Sequence, residues 1–186
     1  MGFILFPFFF GFIFGLNSAI LFFIAEILGI FYTENIISKK YYFRKNVYLK
    51  PISISLVWAI LSFLLPVYII ENQLSVKLLL FSFNLFIFIF ILCVLCDYVD
   101  NNEDKEAGIL TFSMKYEKIL DNITSFLLLF LIAFQFFLDL KFEFLFVNVA
   151  LYSVLLIYIL LNKKRDRLLF DLIILLLGGA QVLIYY

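Results

Sequence analysis

A chain of 186 residues that is 66% hydrophobic, 21% aromatic and only 15% charged is too apolar for a water-soluble domain, which averages about half apolar and about a quarter charged, and is no disordered segment. Its 14 basic and 14 acidic side chains cancel, which leaves no basic excess for phosphate and excludes nucleic acid as a partner. With no histidine, the commonest general base and transition-metal ligand is missing, so carboxylates are the groups left for acid, base or cation chemistry at neutral pH.

The solvent for such a chain is largely lipid, and an all-α, polytopic membrane bundle of about six spans is expected. A run of roughly 20 apolar residues crosses about 30 Å of hydrocarbon at about 1.5 Å per residue. The first apolar stretch, Phe3 to Tyr32, would reach about 45 Å as one helix, too long for one straight span and too short for two. It is read as one span, Gly11 to Tyr32, preceded by an interfacial or re-entrant segment broken by Pro7, Gly11 and Gly15. No basic residue precedes this run, which argues against a cleavable signal peptide. Five further spans come after it in order: Pro51 to Ile70, Lys77 to Cys96, Ile123 to Leu140, Glu143 to Leu161 and Leu168 to Tyr185.

Basic residues are retained on the cytoplasmic side of a membrane, and here they alternate from loop to loop. Lys39, Lys40, Arg44, Lys45 and Lys50 fill the first loop, Lys105, Lys115 and Lys118 the third, and Lys163, Lys164, Arg165 and Arg167 the fifth, whereas the second and fourth hold only Lys77 and Lys141. The odd loops are therefore expected in the cytoplasm, and both termini outside. The first and last of them are net basic, while residues 97 to 122 hold seven acidic and three basic side chains.

The most informative stretch runs from Asp97 to Thr111. If the third span continues as a helix past the membrane surface, Asp97, Asp100 and Asp104 stand at i, i+3 and i+7, within about a 60° sector. Carboxylates at a helix C-terminus oppose the macrodipole and repel one another, so local stability does not explain the pattern. A magnesium ion does, because it prefers carboxylate oxygens, keeps several waters and bridges to substrate phosphates. Like charges 4 Å apart repel by about 4 kcal/mol at an effective dielectric near 20, so a diphosphate approaches these aspartates only with the metal. The structural alternative is a solvated helix end, with Gly108 as C-cap and Thr111 or Ser113 opening the next helix.

The run Asp97-x-x-Asp100-x-x-x-Asp104-x-x-x-Gly108-x-x-Thr111 resembles the second aspartate-rich motif of the UbiA superfamily of intramembrane prenyltransferases. Three spans follow the motif in that family, as expected here, and Tyr32 with the Lys39 to Lys50 segment and the helix after it is weakly similar to the region between the family's fourth and fifth spans. The resemblance covers the latter part of a nine-helix fold and implies a polyprenyl diphosphate donor, an acceptor such as an aromatic quinone precursor, and Mg2+. By match, Asp97, Asp100 and Asp104 would hold the metal, with Gly108 and Thr111 completing the motif. Cys96 and Leu92 stand where members commonly carry a lysine and a tyrosine. No counterpart of the family's first aspartate-rich motif is found, which implies either a second chain that supplies it or a non-catalytic remnant. The aspartates also lack the Asp-Gly and Ala-Arg pattern of phosphatidyl-alcohol transferases.

Arg44, Lys45 and Lys105 are the candidate diphosphate contacts, although the positive-inside rule and anionic lipid account equally for the basic loop. Cys93 and Cys96 form a Cys-x-x-Cys pair inside an apolar run and read as packing. Glu26, an ionisable group inside the first span, suggests a cavity or proton-handling role and motivates a transporter as a third reading. Asp171 suits the first turn of the last span.

Overall fold

The computed structural model describes residues 13–33, 43–138, 142–161, 170 and 172–173, and all their regular structure is helical. Two helical stretches, Leu49–Glu71 with 23 residues and Val76–Val99 with 24, are long and apolar enough to cross a membrane, while Leu16–Tyr32 and Leu145–Leu161 are shorter apolar helices. Pro7 and Gly11, the loop lysines Lys39 and Lys40, the basic residues of the fifth loop, Asp171 and nearly all of the Leu168 to Tyr185 span lie outside the described residues. The chain divides into two compact units, Met1–Phe90 and Ile91–Tyr186.

In the first unit, α1 (Leu16–Thr33) begins just after Gly15, whose φ of 89° interrupts the helical run and makes it the expected breaker. A short turn, Phe43–Lys45, leads to α2 (Leu49–Ala59). The side chain of Asn46 accepts the amides of Tyr48 and Leu49 (3.0 and 3.1 Å) and so meets donors that a helix start leaves open. The helix then widens into a π turn, Ile60–Leu64, before α3 (Leu65–Glu71). Pro66 accounts for this: it has no N–H, and its ring would press on the carbonyl four residues back, so the chain takes one wide turn first. The amide of Leu65 accordingly reaches the carbonyl of Ile60, five residues away.

Helix α1 packs along α2, the π turn and α3. Ala25, Ile60, Leu64, Val67, Tyr68 and Leu78 form the buried cluster, flanked by Leu21, Val57 and Phe63. Asn17 Nδ2 donates to the Tyr68 hydroxyl at 2.9 Å, tying α1 to α3. Asn72, in a left-handed conformation at φ 51°, ends α3, and the Ser75 hydroxyl accepts the Leu78 amide (3.1 Å) at the start of α4 (Val76–Val99). Only four residues separate the two long stretches, as expected for a tight hairpin.

The second unit takes the last residues of α4 and then α5 (Asn101–Glu106), α6 (Phe112–Lys115), a turn at Glu117–Ile119, α7 (Leu120–Gln135) and α8 (Phe142–Leu161). Helix α7 starts three residues before the expected Ile123 and ends five before Leu140. Its end tightens because the amides of Phe136, Phe137 and Leu138 bond back three residues, at 3.2, 3.0 and 3.2 Å. Helices α7 and α8 pack together, with Leu128, Leu131 and Leu155 fully enclosed. Asn148 Nδ2 donates to Gln135 Oε1 at 3.1 Å between them, both side chains buried. Such amide pairs hold helices together where no water competes.

Candidate functional site

The acidic stretch lies within the second unit. Helix α4 runs three residues beyond the expected end of its span, so Asp97 falls in its last turn. At Asp100 the backbone departs from helical values (φ −85°, ψ 6°) and α5 begins at the next residue. The register survives: the Asp100 amide bonds to the Cys96 carbonyl and the Asp104 amide to the Asp100 carbonyl, both at 3.0 Å and both four residues back. Asp97, Asp100 and Asp104 therefore keep one face, and burial traces it. Asp97 and Asp104 are buried and Asp100 half-buried, whereas Asn102, Glu103, Lys105 and Glu106 are exposed. Asp97 Oδ2 is enclosed and accepts no hydrogen bond, although the residue itself has a partner.

The face is a row and not a cage. At about 1.5 Å per residue, Asp97 and Asp104 are about 10 Å apart along the axis, and among the described residues no three Asp, Glu or Cys side chains are gathered closely enough to ring a metal ion. The convergence expected from the spacing is thus an alignment. Hard oxygen donors spaced in this way still suit magnesium, which takes one or two carboxylates per ion and fills its other positions with water and phosphate.

Beyond the aspartates the chain closes into a turn. Gly108 adopts φ 68° just after α5; its amide bonds to the Lys105 carbonyl (3.1 Å), and the Ile109 amide bonds to the Asp104 carbonyl (2.8 Å). This pair of bonds is a Schellman motif, and the buried Ile109 is its usual apolar anchor. Thr111, extended at φ −95° and ψ 166°, then caps α6, its hydroxyl accepting the Met114 amide at 3.3 Å. Both Gly108 and Thr111 take the capping places expected of them.

Asn101 and Ser113 complete the closure. Asn101 Oδ1 accepts from the Ser113 hydroxyl at 2.6 Å and from the Thr111 hydroxyl at 3.2 Å, and the two hydroxyls are 2.9 Å apart. Thr111 and Ser113 are wholly buried, so no water substitutes for these bonds. Asn101 carries no charge and so escaped a reading built on carboxylates. Its i+4 spacing from Asp97 and i−3 spacing from Asp104 was the available signal.

The candidate cations fall in different units. Lys105 is exposed in the last turn of α5, where it suits the helix dipole. Arg44 and Lys45 are exposed on the Phe43–Lys45 turn of the first unit. Cys93 and Cys96 are half-buried thiols with no disulfide. Glu26 is half-buried on α1, one residue beyond the core Ala25.

No protein-family profile, characterised protein or solved structure matches the chain.

Proposed function

We propose that the chain is an intramembrane prenyltransferase of the UbiA type, or the part of one that holds the diphosphate. It would transfer a polyprenyl group from a polyprenyl diphosphate to an acceptor such as an aromatic quinone precursor, with Mg2+. The observation that carries this reading is the row Asp97, Asp100, Asp104, kept in register through the helix end and followed by the Gly108 and Thr111 caps. Asp100, half-buried, and Asp104, buried, are one turn apart and would hold the metal, with Asp97 behind them. Bound magnesium would offset the charge that builds on the leaving diphosphate.

The chain's own part is to bind and to orient. Asp104, buried in the short helix that the Gly108 turn closes, would keep its position while the substrate charge changes. Lys105 is proposed as an outer contact for the diphosphate oxygens, and the isoprenoid tail would lie among the apolar helices. The proposed setting is a bacterial cytoplasmic membrane, crossed about six times, with this loop on the cytoplasmic face.

Asp100→Asn and Asp104→Asn should each abolish magnesium-dependent release of diphosphate from a polyprenyl diphosphate in isolated membranes. Unchanged turnover in both variants would overturn the proposal. A second reading is a subunit of a split enzyme. It expects no release from the chain alone and release on co-expression with a protein bearing the other aspartate-rich motif.

A further inference from the structure

The basic loop before α2 has no acid within it. Lys39, Lys40, Arg44, Lys45 and Lys50 fall within one short run, and no acidic residue occurs between Glu34 and Glu71. Glu71 ends α3, at the far end of the stretch Leu49–Glu71, about 33 Å along the helix from Leu49. Like charges this close in sequence repel one another, and an outside anion relieves the repulsion.

Two of these charges have a fixed place. Phe43 stacks on Phe31, in the last turn of α1, with ring centroids 5.5 Å apart and planes inclined at 25°. Arg44 and Lys45 come next on the Phe43–Lys45 turn, both exposed, whereas Lys50 is buried. The Asn46 amide bonds back to the Phe43 carbonyl at 3.0 Å, and the Asn46 side chain accepts the first amides of α2. The turn is thereby held to the end of one apolar helix and the start of another.

Just past the charges, Tyr48 and Leu49 expose 42% and 37% of their surface, where a stretch long and apolar enough to cross a membrane begins. Cations followed within about one helical turn by an exposed tyrosine and leucine match the layers of a bilayer, with phosphates outermost and acyl chains beneath. A water-soluble anion would use the charges and leave the apolar surface in water, at a cost. An anionic lipid meets both. We propose that Arg44 and Lys45 bind the anionic headgroup of a bilayer phospholipid, with Tyr48 and Leu49 against the top of its acyl chains. This rests on the membrane setting proposed above and adds to it the class of lipid that the first loop selects.

Trp58, the single tryptophan, supplies the readout. It is exposed on α2, about 14 Å along the helix from Leu49 and so inside the hydrocarbon. The full chain is reconstituted in phosphatidylcholine vesicles with rising fractions of phosphatidylglycerol brominated on its acyl chains. Quenching of Trp58 is compared with that by brominated phosphatidylcholine. Wild type should favour the anionic lipid about fivefold or more, the factor expected from a single basic residue at an anionic surface, and R44Q/K45Q should lose most of that preference. K115Q/K118Q, which removes two exposed charges of the second unit, should keep it. Equal quenching by the two lipids in wild type overturns the proposal, as does a preference that survives in R44Q/K45Q or falls as far in K115Q/K118Q. Quenching by neither lipid overturns the membrane setting and the proposal with it.

Discussion

Gly108→Ala tests whether the aspartate loop is a defined turn in solution. Gly108 has φ 68°, and a Cβ placed on it would meet nothing within 4 Å. The substitution therefore adds no clash, and its effect comes from the backbone alone. A left-handed conformation costs a non-glycine residue about 1–2 kcal/mol, partly offset because alanine has less unfolded-state freedom to lose. A net loss of about 1 kcal/mol makes local opening about fivefold more frequent. The amides that report it are those of Gly108 and Ile109, which close the turn onto Lys105 and Asp104. Hydrogen exchange in a peptide spanning 104–111 should accelerate about fivefold in G108A and by less than about twofold in G108N, because asparagine tolerates this conformation. Equal exchange in wild type and G108A would refute the capped turn and remove the reason for treating Asp104 as fixed in place.

Thr111→Val deletes a helix cap and two contacts of a buried network. It should cost about 1–2 kcal/mol, read as faster exchange of the Met114 amide. Asn148→Leu removes the amide pair with Gln135 and should destabilise the α7–α8 pairing by about 0.6–1.7 kcal/mol, the range for interhelical hydrogen bonds in membranes, seen as an earlier unfolding midpoint in denaturing detergent. Leu155→Ala, at a wholly buried position, should cost about 2–5 kcal/mol in the same assay. Glu26→Gln should leave magnesium-dependent diphosphate release within about twofold of wild type, since the enzyme reading gives Glu26 no part in charge stabilisation. Loss of substrate flux in E26Q, with no effect of Asp104→Asn, would favour the transporter reading.

The helical elements were legible as apolar runs of about the length that crosses hydrocarbon. The stretches expected at Pro51 to Ile70, Lys77 to Cys96 and Glu143 to Leu161 appear as Leu49–Glu71, Val76–Val99 and Phe142–Leu161. Glycine and threonine at Gly108 and Thr111 were readable for a similar reason, as conformations that few residues adopt and donors that few side chains satisfy. The π turn at Ile60–Leu64 was not foreseen, although Pro66 is visible in the sequence. A proline announces that a hydrogen bond is missing but leaves open whether the helix kinks, stops or widens.

Asn101, Gln135 and Asn148, and the bond that Ser113 makes, stayed hidden for a different reason. Each acts through a partner ten or more residues away, so its role depends on where two helices meet and not on its own propensity. Hydropathy counts such residues only as small interruptions, yet in a buried setting an amide or hydroxyl must find a partner. For Asn101 this requirement has a direct structural consequence. The hydroxyls of Thr111 and Ser113 hold the first turn of α5 to the start of α6, while the Schellman bonds close its other end. The short α5, too brief to persist as an isolated helix in water, is thereby held at both ends. Three carboxylates can stay aligned there against their mutual repulsion because uncharged neighbours supply the restraint.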